Sequence, residues 1–148
     1  MSNVFNTVFE ISLRVLLILA TYGKLKTTDM ICAIDFISVY GKEFGIAQTN
    51  LHGDNKYKYG EFSTRRTMVK KAIVFLIQRK MIEIFQRNDG YDFYITDAGK
   101  AYCNLFTSDY AIDYTKATKA ASVYIGDKSE SEIIRDILSH SMVDLRRI

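Results

Sequence analysis

Residues 60–85 read GEFSTRRTMVKKAIVFLIQRKMIEIF, and they determine the architecture that we expect for the rest of the chain. Apolar side chains recur at helical spacing here, so one stripe of a long helix can face a core. Glu61 precedes Arg65 by four residues, the favourable order for an ion pair on a helix surface. The stripe comprises Phe62, Val69, Ile73 and Leu76, and the basic residues beside it are Arg65, Arg66, Lys70, Lys71, Arg79 and Lys80.

A short β-hairpin is predicted directly after this helix. Apolar and polar residues alternate in residues 82–84 and again in residues 91–95, and the turn residues Asn88-Asp89-Gly90 lie between them. A basic amphipathic helix followed by a short hairpin is the outline of a winged helix. We therefore expect a mainly α-helical chain with one small β-hairpin: a winged-helix-like domain with a long loop insertion before its third helix and extra C-terminal helices.

The composition is that of one globular domain. The chain has 148 residues, of which 48% are hydrophobic and 25% charged, which allows a substantial core and argues against disorder. Cys32 and Cys103 lack metal-ligand spacing, and no apolar run approaches the roughly 20 residues that a membrane span needs. A signal peptide carries basic residues before its apolar run, and none precedes the first apolar run of this sequence. We expect a reduced, cytoplasmic protein that does not enter a membrane.

The positive charge is concentrated in one window, although the net charge is only +3. Residues 42–71 carry seven basic and three acidic side chains, a net charge of +4, so the remainder nets −1. Any polyanion that the protein binds should therefore meet this window. Within it, we predict nucleic-acid contacts at Lys56, Lys58, Lys70 and Lys71.

Two helices are predicted before the long one, over residues 3–22 and about residues 30–40. In the first, Asn6, Glu10 and Arg14 fall four apart and therefore share one face. This polar row is either a solvated edge or a docking edge for a partner.

A polar segment without periodicity, residues 41–60, separates the second predicted helix from the long one. A helix-turn-helix joins its helices through about three or four residues. The approach of the long helix to a major groove is therefore either compromised by this insertion or shared with it. Within the segment, Lys56-Tyr57-Lys58-Tyr59 interleaves charged and aromatic side chains. The run could contact phosphates while stacking on bases, or its tyrosines could pack back on the core.

Three helices are predicted after the hairpin. We divide the chain into a winged-helix-like domain with a helical brace, residues 1–126, and a C-terminal amphipathic helix with its tail, residues 127–148. That last helix either folds on its own domain or docks on another chain. The residues predicted to begin or end helices are Gly23, one of residues 27–29, Thr96, Ser108 or Asp109, Gly126 and Ser129.

No catalytic, cofactor or metal motif is present in the sequence. It lacks a Gly-rich phosphate loop, a Cys-x-x-Cys pair, a Gly-x-Ser-x-Gly elbow and a His-Glu-x-x-His helix. His52 has no second histidine nearby and no paired carboxylate, so we assign it neither a metal-ligand nor a general-base role. We expect a binding protein rather than an enzyme, with no cofactor and no metal.

Short motifs spread along the chain carry a family resemblance. The most specific is Gly60-Glu61-x-x-x-Arg65-Arg66, and the first helix contributes NTVFEISLR at residues 6–14. The other elements are Asp35, Leu51-His52-Gly53, Gly90-Tyr91-Asp92-Phe93-Tyr94, Gly99 and Ser108-Asp109-Tyr110-Ala111. In order and spacing, over residues 3–125, they resemble the middle component of ABC-three-component systems, the small winged-helix subunit that Lamassu-type bacterial defence systems also use.

The resemblance implies a non-enzymatic adaptor. Such subunits work beside a coiled-coil ATPase of the SMC/Rad50 type and a separate effector, often a nuclease, in an assembly that recognises phage or plasmid DNA. By this likeness, Glu10, Arg14, Glu61, Arg65 and Arg66 occupy the family's motif positions, and we interpret them as candidate partner contacts. For the last three, the alternative is a structural brace for the long loop. Before Gly60, where the family commonly has Pro and Arg, this chain has Lys58-Tyr59.

Two functional hypotheses follow. The first is an accessory subunit of an SMC/Rad50-like antiviral complex that binds the ATPase and the effector nuclease, with contact to double-stranded DNA as an additional hypothesis. The second is a free-standing winged-helix transcription regulator, which would be a dimer with sequence-specific DNA binding. The long insertion and the modest net charge argue against the regulator.

Overall fold

The computed structural model of the protein describes residues 7–23, 27–53, 58–88 and 90–146, without the side chains of residues 63 and 143–146. The helices are α1 (Val8–Tyr22), α2 (Thr28–Val39), α3 (Lys58–Gln78), α4 (Asp97–Cys103), α5 (Asp109–Ile125) and α6 (Glu130–Arg146). The strands are β1 (Ile82–Arg87) and β2 (Gly90–Ile95), and Gly41–Phe44 forms a short 3-10 helix. The predicted fold class, mainly α with a small hairpin and extra C-terminal helices, is confirmed. The arrangement is consistent with a winged-helix-like fold.

The central element of the fold is α2. Every residue from 31 to 40 is buried, including Asp35 and Ser38, and α1, α3, α5 and α6 all pack against this helix. A helix that is apolar on all sides is stable when it is covered on all sides, and ICAIDFISVY is apolar on nearly all of its faces. The fold is therefore organised around α2 rather than around residues 60–85.

The helix α1 begins at Val8. The Thr7 hydroxyl accepts a hydrogen bond from the Glu10 N–H and so caps the helix, while the predicted start at residues 3–6 lies outside the described part of the chain. The interpretation of its polar row as a solvated edge is wrong at Arg14, because that side chain is buried. Gly23 ends the helix, as predicted, in the left-handed conformation that glycine adopts without strain.

The segment between α2 and α3 is shorter than predicted, because α3 begins at Lys58 rather than at residue 60. Tyr59 consequently lies in the first turn of α3, and its ring packs on Phe36 with the centroids 5.5 Å apart. The interpretation that the tyrosines of this run pack on the core is confirmed for Tyr59. Residues 54–57, which include Lys56 and Tyr57, lie outside the described part of the chain.

The hairpin forms where it was predicted, with longer strands. β1 continues to Arg87 and β2 starts at Gly90, and these two residues face each other beside the turn. At the other end, Ile82 pairs with Ile95, and both side chains are buried against the helices. The large apolar side chains that remain exposed on the hairpin are Ile84, Phe85 and Tyr91.

The predicted helix starts are also confirmed. At each start, a threonine or serine hydroxyl accepts a hydrogen bond from the backbone N–H of the third residue after it. These capping residues are Thr27, Thr96, Ser108 and Ser129. The last helix, α6, packs on α2 through the buried side chains of Ile133 and Ile137. Of the two interpretations of this helix, the structure supports the one in which it folds on its own domain.

Candidate functional site

A buried ion pair joins α1 to α2 at the centre of the candidate site. Arg14 Nε lies 2.9 Å from Asp35 Oδ1, and Arg14 Nη2 donates a hydrogen bond of 3.1 Å to Asp35 Oδ2. Both residues are only 1% exposed. Such a side-on pairing fixes the relative orientation of the two planar groups, so this pair defines how α1 sits on α2.

Arg65 brings α3 into the same cluster. Its Nη1 lies 3.4 Å from Asp35 Oδ2, and its Nη2 donates a hydrogen bond of 3.2 Å to Glu61 Oε2. The Tyr40 hydroxyl, at the end of α2, donates to the same Glu61 oxygen at 2.9 Å. The guanidinium also lies 5.8 Å from the centre of the Tyr40 ring, within cation–π range. Glu61 and Arg65 therefore brace α3 against α2. The alternative interpretation, a brace for the long loop, falls partly on residues 54–57, which lie outside the described part of the chain.

The helix α5 completes the cluster through Tyr114, whose hydroxyl donates a hydrogen bond of 2.5 Å to Asp35 Oδ1. Burial alone would raise the pKa of Asp35, but the charges of Arg14 and Arg65 and this hydrogen bond outweigh it and hold the pKa below its ordinary value. Burial raises the pKa of Tyr114 well above its ordinary value. Asp35 is therefore ionised and Tyr114 protonated near neutral pH. We call Arg14, Asp35, Arg65 and Tyr114, with Glu10 and Glu61 at its two ends, the ion network.

Glu10 forms one of the two partly exposed ends of the ion network. Arg14 Nη1 donates a hydrogen bond of 2.7 Å to Glu10 Oε2, and the Glu10 side chain is 17% exposed. Burial raises the pKa of Glu10 to about 6, and the opposing charge of Arg14 and a hydrogen bond from Tyr110 do not cancel that effect. Perturbed acids of this kind are frequent at functional sites.

An apolar groove opens beside Glu10, between α1 and the junction of α4 with α5. It has a volume of about 450 Å³. The lining residues that matter here are Glu10, Leu13, Leu17, Leu105, Phe106 and Tyr110. Concave, mainly apolar sites with a few convergent polar groups are typical binding sites in proteins. This groove extends the candidate site from the buried network to the surface.

His52 lies close to this site but takes no ionic part in it. Its Nε2 is 2.6 Å from the Tyr110 hydroxyl, and the two rings are stacked. Burial lowers the pKa of His52 to about 3, with a further contribution from the charge of Arg14. The imidazole is therefore neutral and anchors Tyr110, and through it the start of α5.

The structure separates the predicted partner contacts into two groups. Arg14 and Arg65 are buried in the ion network, and Glu10 and Glu61 are partly exposed at its ends. Arg66 points outward and pairs with Asp29 of α2, at 2.8 Å from Nε to Oδ1. The buried arginines thus hold Glu10 and Glu61 in place, and of the five predicted contacts only Glu10, Glu61 and Arg66 keep polar atoms at the surface.

The predicted nucleic-acid contacts are also divided. Lys70 and Lys71 are exposed on α3. Lys58 is only 7% exposed, and its Nζ lies 3.7 Å from Glu43 Oε1. Lys56 falls outside the described residues. Of the four lysines predicted to contact nucleic acid, Lys70 and Lys71 are therefore the two that the described part of the chain shows to be exposed.

The sequence patterns predict no functional role for Tyr40 or Tyr114, and Asp35 enters only through the family resemblance. A local signal for the cluster was nevertheless present. Arg65 follows Phe62 by three residues and precedes Val69 by four, so it lies on the apolar stripe itself rather than beside it. A charged residue at such a position needs a buried partner of opposite charge, and Asp35 is the acidic residue within the apolar run of α2.

Among the described residues, no helix combines the length and apolar character needed to cross a membrane. In the same segments, no group of three or more histidine, cysteine, aspartate or glutamate side chains is placed to hold a metal ion. Cys32 and Cys103 are both free thiols.

Comparison with known proteins identifies the family. Residues 4–147 match the family model described as ABC-three component (ABC-3C) system Middle Component 2. The match extends past Gly126, where the resemblance noted in the sequence ended. No curated protein and no solved structure matches the chain. Because the family match spans nearly the whole sequence, the chain belongs to the Middle Component 2 family and is an accessory component of an ABC-three component defence system.

Proposed function

We propose that this protein is a non-catalytic adaptor that bridges an SMC/Rad50-like coiled-coil ATPase and an effector nuclease in the cytoplasm, in a Lamassu-type complex directed against phage or plasmid DNA. The observation that carries the proposal is the inward direction of Arg65. In a free-standing DNA reader, a helix in this position of a winged helix would direct its arginines to base edges. Here Arg65 is 3% exposed and engaged with Asp35.

The remaining motif residues support contact with a protein partner. Glu10, Glu61 and Arg66 keep part of their polar surface accessible, and the buried arginines hold the two glutamates in place. A rigid arrangement of charges and apolar side chains lowers the entropy lost on binding. We propose that Glu10, Arg14, Glu61, Arg65 and Arg66 serve the interface together, the two buried arginines by positioning the others.

Co-expression with the other component chains of the same system tests the adaptor. We expect the protein to co-elute with the coiled-coil ATPase and the effector in size-exclusion chromatography, and removal of this chain to separate those two. If the ATPase and effector associate equally well without it, bridging is excluded. A homodimer that ignores both chains and selects particular DNA sequences would establish the regulator instead.

Contact with double-stranded DNA is a second part of the proposal, and the exposed Lys70 and Lys71 support it. The double variant Lys70→Glu/Lys71→Glu should weaken DNA binding by the assembled complex. It should also lower the slope of log affinity against log salt by about one for each phosphate that is no longer neutralised. Lys116→Glu/Lys119→Glu, on the exposed side of α5, makes the same change in charge and serves as the control. Equal effects of the two double variants would show only a general electrostatic attraction.

A further inference from the structure

We propose that the groove between α1 and the α4–α5 junction docks a segment of another component chain, which inserts apolar side chains beside Leu13 and Leu105 and places a lysine or arginine against Glu10. The inference rests on the proposed adaptor function, because it names the chemistry by which one of the partners is held. It assigns the groove a basic and apolar peptide segment as its occupant.

The apolar part of the segment is indicated by the walls and rim of the groove. Leu13, Leu17 and Phe106 line it, and Leu105 at its edge is 71% exposed. The apolar surface continues on both neighbouring helices. Phe9, one turn before Leu13 on α1, is 56% exposed, and Ile112, one turn after the lining residue Ser108 on α5, is 46% exposed. A contiguous exposed apolar patch of this kind is typical of a protein interaction surface.

The basic part of the segment is indicated by the charge at the polar end of the groove. Of the described residues that line it, Glu10 and Arg14 carry charge, and Arg14 is committed to Asp35 as well as to Glu10. Of these two side chains, Glu10 is 17% exposed and Arg14 only 1%, so the carboxylate is the charged group that the groove presents to a docked segment. A cation brought into the groove therefore meets an accessible carboxylate, whereas an acidic segment would be repelled by it.

The start of α5 does not reverse this preference. A helix N-terminus attracts anions, and the groove is lined by Ala111 of α5 and by Ser108, which caps this helix. However, the Ser108 hydroxyl already accepts the hydrogen bond of the Ala111 N–H, and Asp109 in the first turn offsets the positive end of the helix. Glu10 itself is largely buried in the free protein, where its ionised form is disfavoured. A partner cation would supply the compensating charge.

Photo-crosslinking of the assembled complex tests this docking. The full chain carrying Leu105→p-benzoylphenylalanine is co-expressed with the other component chains, illuminated, and the crosslinked peptide is sequenced by mass spectrometry. The expected peptide belongs to another component and has a lysine or arginine within about one helical turn of leucine, isoleucine, methionine or phenylalanine. The control is Val123→p-benzoylphenylalanine, at a position that is 83% exposed on α5 and does not line the groove. It should not capture that peptide.

Two substitutions complete the test. Glu10→Gln should weaken assembly at least about tenfold, as loss of one partner of a desolvated charge pair does, and Leu105→Asp, at an exposed position where folding tolerates a charge, should do so too. A crosslink to an acidic peptide or to a second copy of this chain would overturn the inference, as would an assembled complex with no crosslink. If no complex forms with the unaltered chain, the adaptor function itself fails.

Discussion

Arg14 and Asp35 form a two-point ion pair in the core, with both residues 1% exposed. A buried pair of this kind need not add stability over an apolar pair of the same shape. We expect it to act through specificity, because an uncompensated charge is costly in any packing that separates α1 from α2. Arg65 and Tyr114 place α3 and α5 under the same constraint. One carboxylate thus fixes the positions of three helices relative to α2.

The neighbouring arginines of the Gly-Glu-x-x-x-Arg-Arg motif should differ sharply in their effect on stability. Arg65→Met leaves Asp35 with one guanidinium partner in a buried site, so we expect the free energy of unfolding to fall by about 3 kcal/mol or more. Arg66→Met removes an exposed ion pair with Asp29, and the expected decrease is below about 1 kcal/mol. Urea unfolding followed by circular dichroism measures both. Decreases of similar size would show that the ion network does not hold α3 in place.

The hydroxyl group of Tyr114 should by itself make a measurable contribution to the stability of the protein. Tyr114→Phe keeps the ring but removes a buried hydrogen bond to the ionised Asp35, for which we expect a decrease of about 1.5–3 kcal/mol in unfolding free energy. Tyr94→Phe is the matched control, because its hydroxyl donates to Glu83 on the exposed side of the hairpin. That control should change stability by less than about 0.5 kcal/mol. A silent Tyr114→Phe would mean that Asp35 is satisfied by the arginines alone.

Local patterns predict the elements of this fold well because their causes are local. Thr96 and Ser108 cap helices through hydrogen bonds that span three residues, and the hairpin follows from alternation and a turn. The position of α2 and the ion network depend on packing between segments far apart in sequence. Arg65 and Asp35 come together only when α2 and α3 pack, so helical spacing places Arg65 on a stripe without naming its partner. The groove beside Glu10 is formed by α1 and the start of α5, and no single stretch of sequence encodes it.

Two glycines in helices should respond to alanine in opposite directions. At Gly99 in α4, an added Cβ would lie 2.3 Å from the Met81 carbonyl oxygen and 2.7 Å from Ile95 Cγ1, so α4 and the hairpin must move apart. Gly99→Ala should therefore destabilise the protein by about 1–3 kcal/mol or more. At Gly60 in α3, no atom of the described residues lies within 4 Å of the added Cβ. Gly60→Ala should stabilise by up to about 1 kcal/mol through helix propensity. Thermal melts of the two variants decide the matter, and a harmless Gly99→Ala would refute the close approach of α4 to residue 81.

The stability of the protein should depend on pH through Glu10. Burial raises the pKa of this carboxyl from 4.5 to about 6 in the folded chain, against the opposing charge of Arg14. The folded protein therefore binds this proton more tightly than the unfolded chain does, and the resulting stabilisation is complete below about pH 4.5 and is lost as the pH rises through about 6. A difference of this size corresponds to about 2 kcal/mol. The groups that act on Glu10 are Arg14, Tyr110, Asp35 and Arg65.

Glu10→Gln separates this contribution from every other titration, because glutamine carries no proton to lose. Relative to the unaltered protein, the variant should gain about 2 kcal/mol in unfolding free energy between about pH 4.5 and about pH 7.5, with half of the gain reached at about pH 5.2, midway between the unfolded and folded pKa values. Asp113→Asn, at an exposed position of α5, is the matched control for removing a carboxylate. Chemical denaturation at several pH values gives both differences. If the difference in unfolding free energy between Glu10→Gln and the unaltered protein stays constant over this interval, the pKa of Glu10 is the same in the folded and unfolded chains. The ion network would then stabilise the charge of Glu10 far better than the burial of this side chain implies.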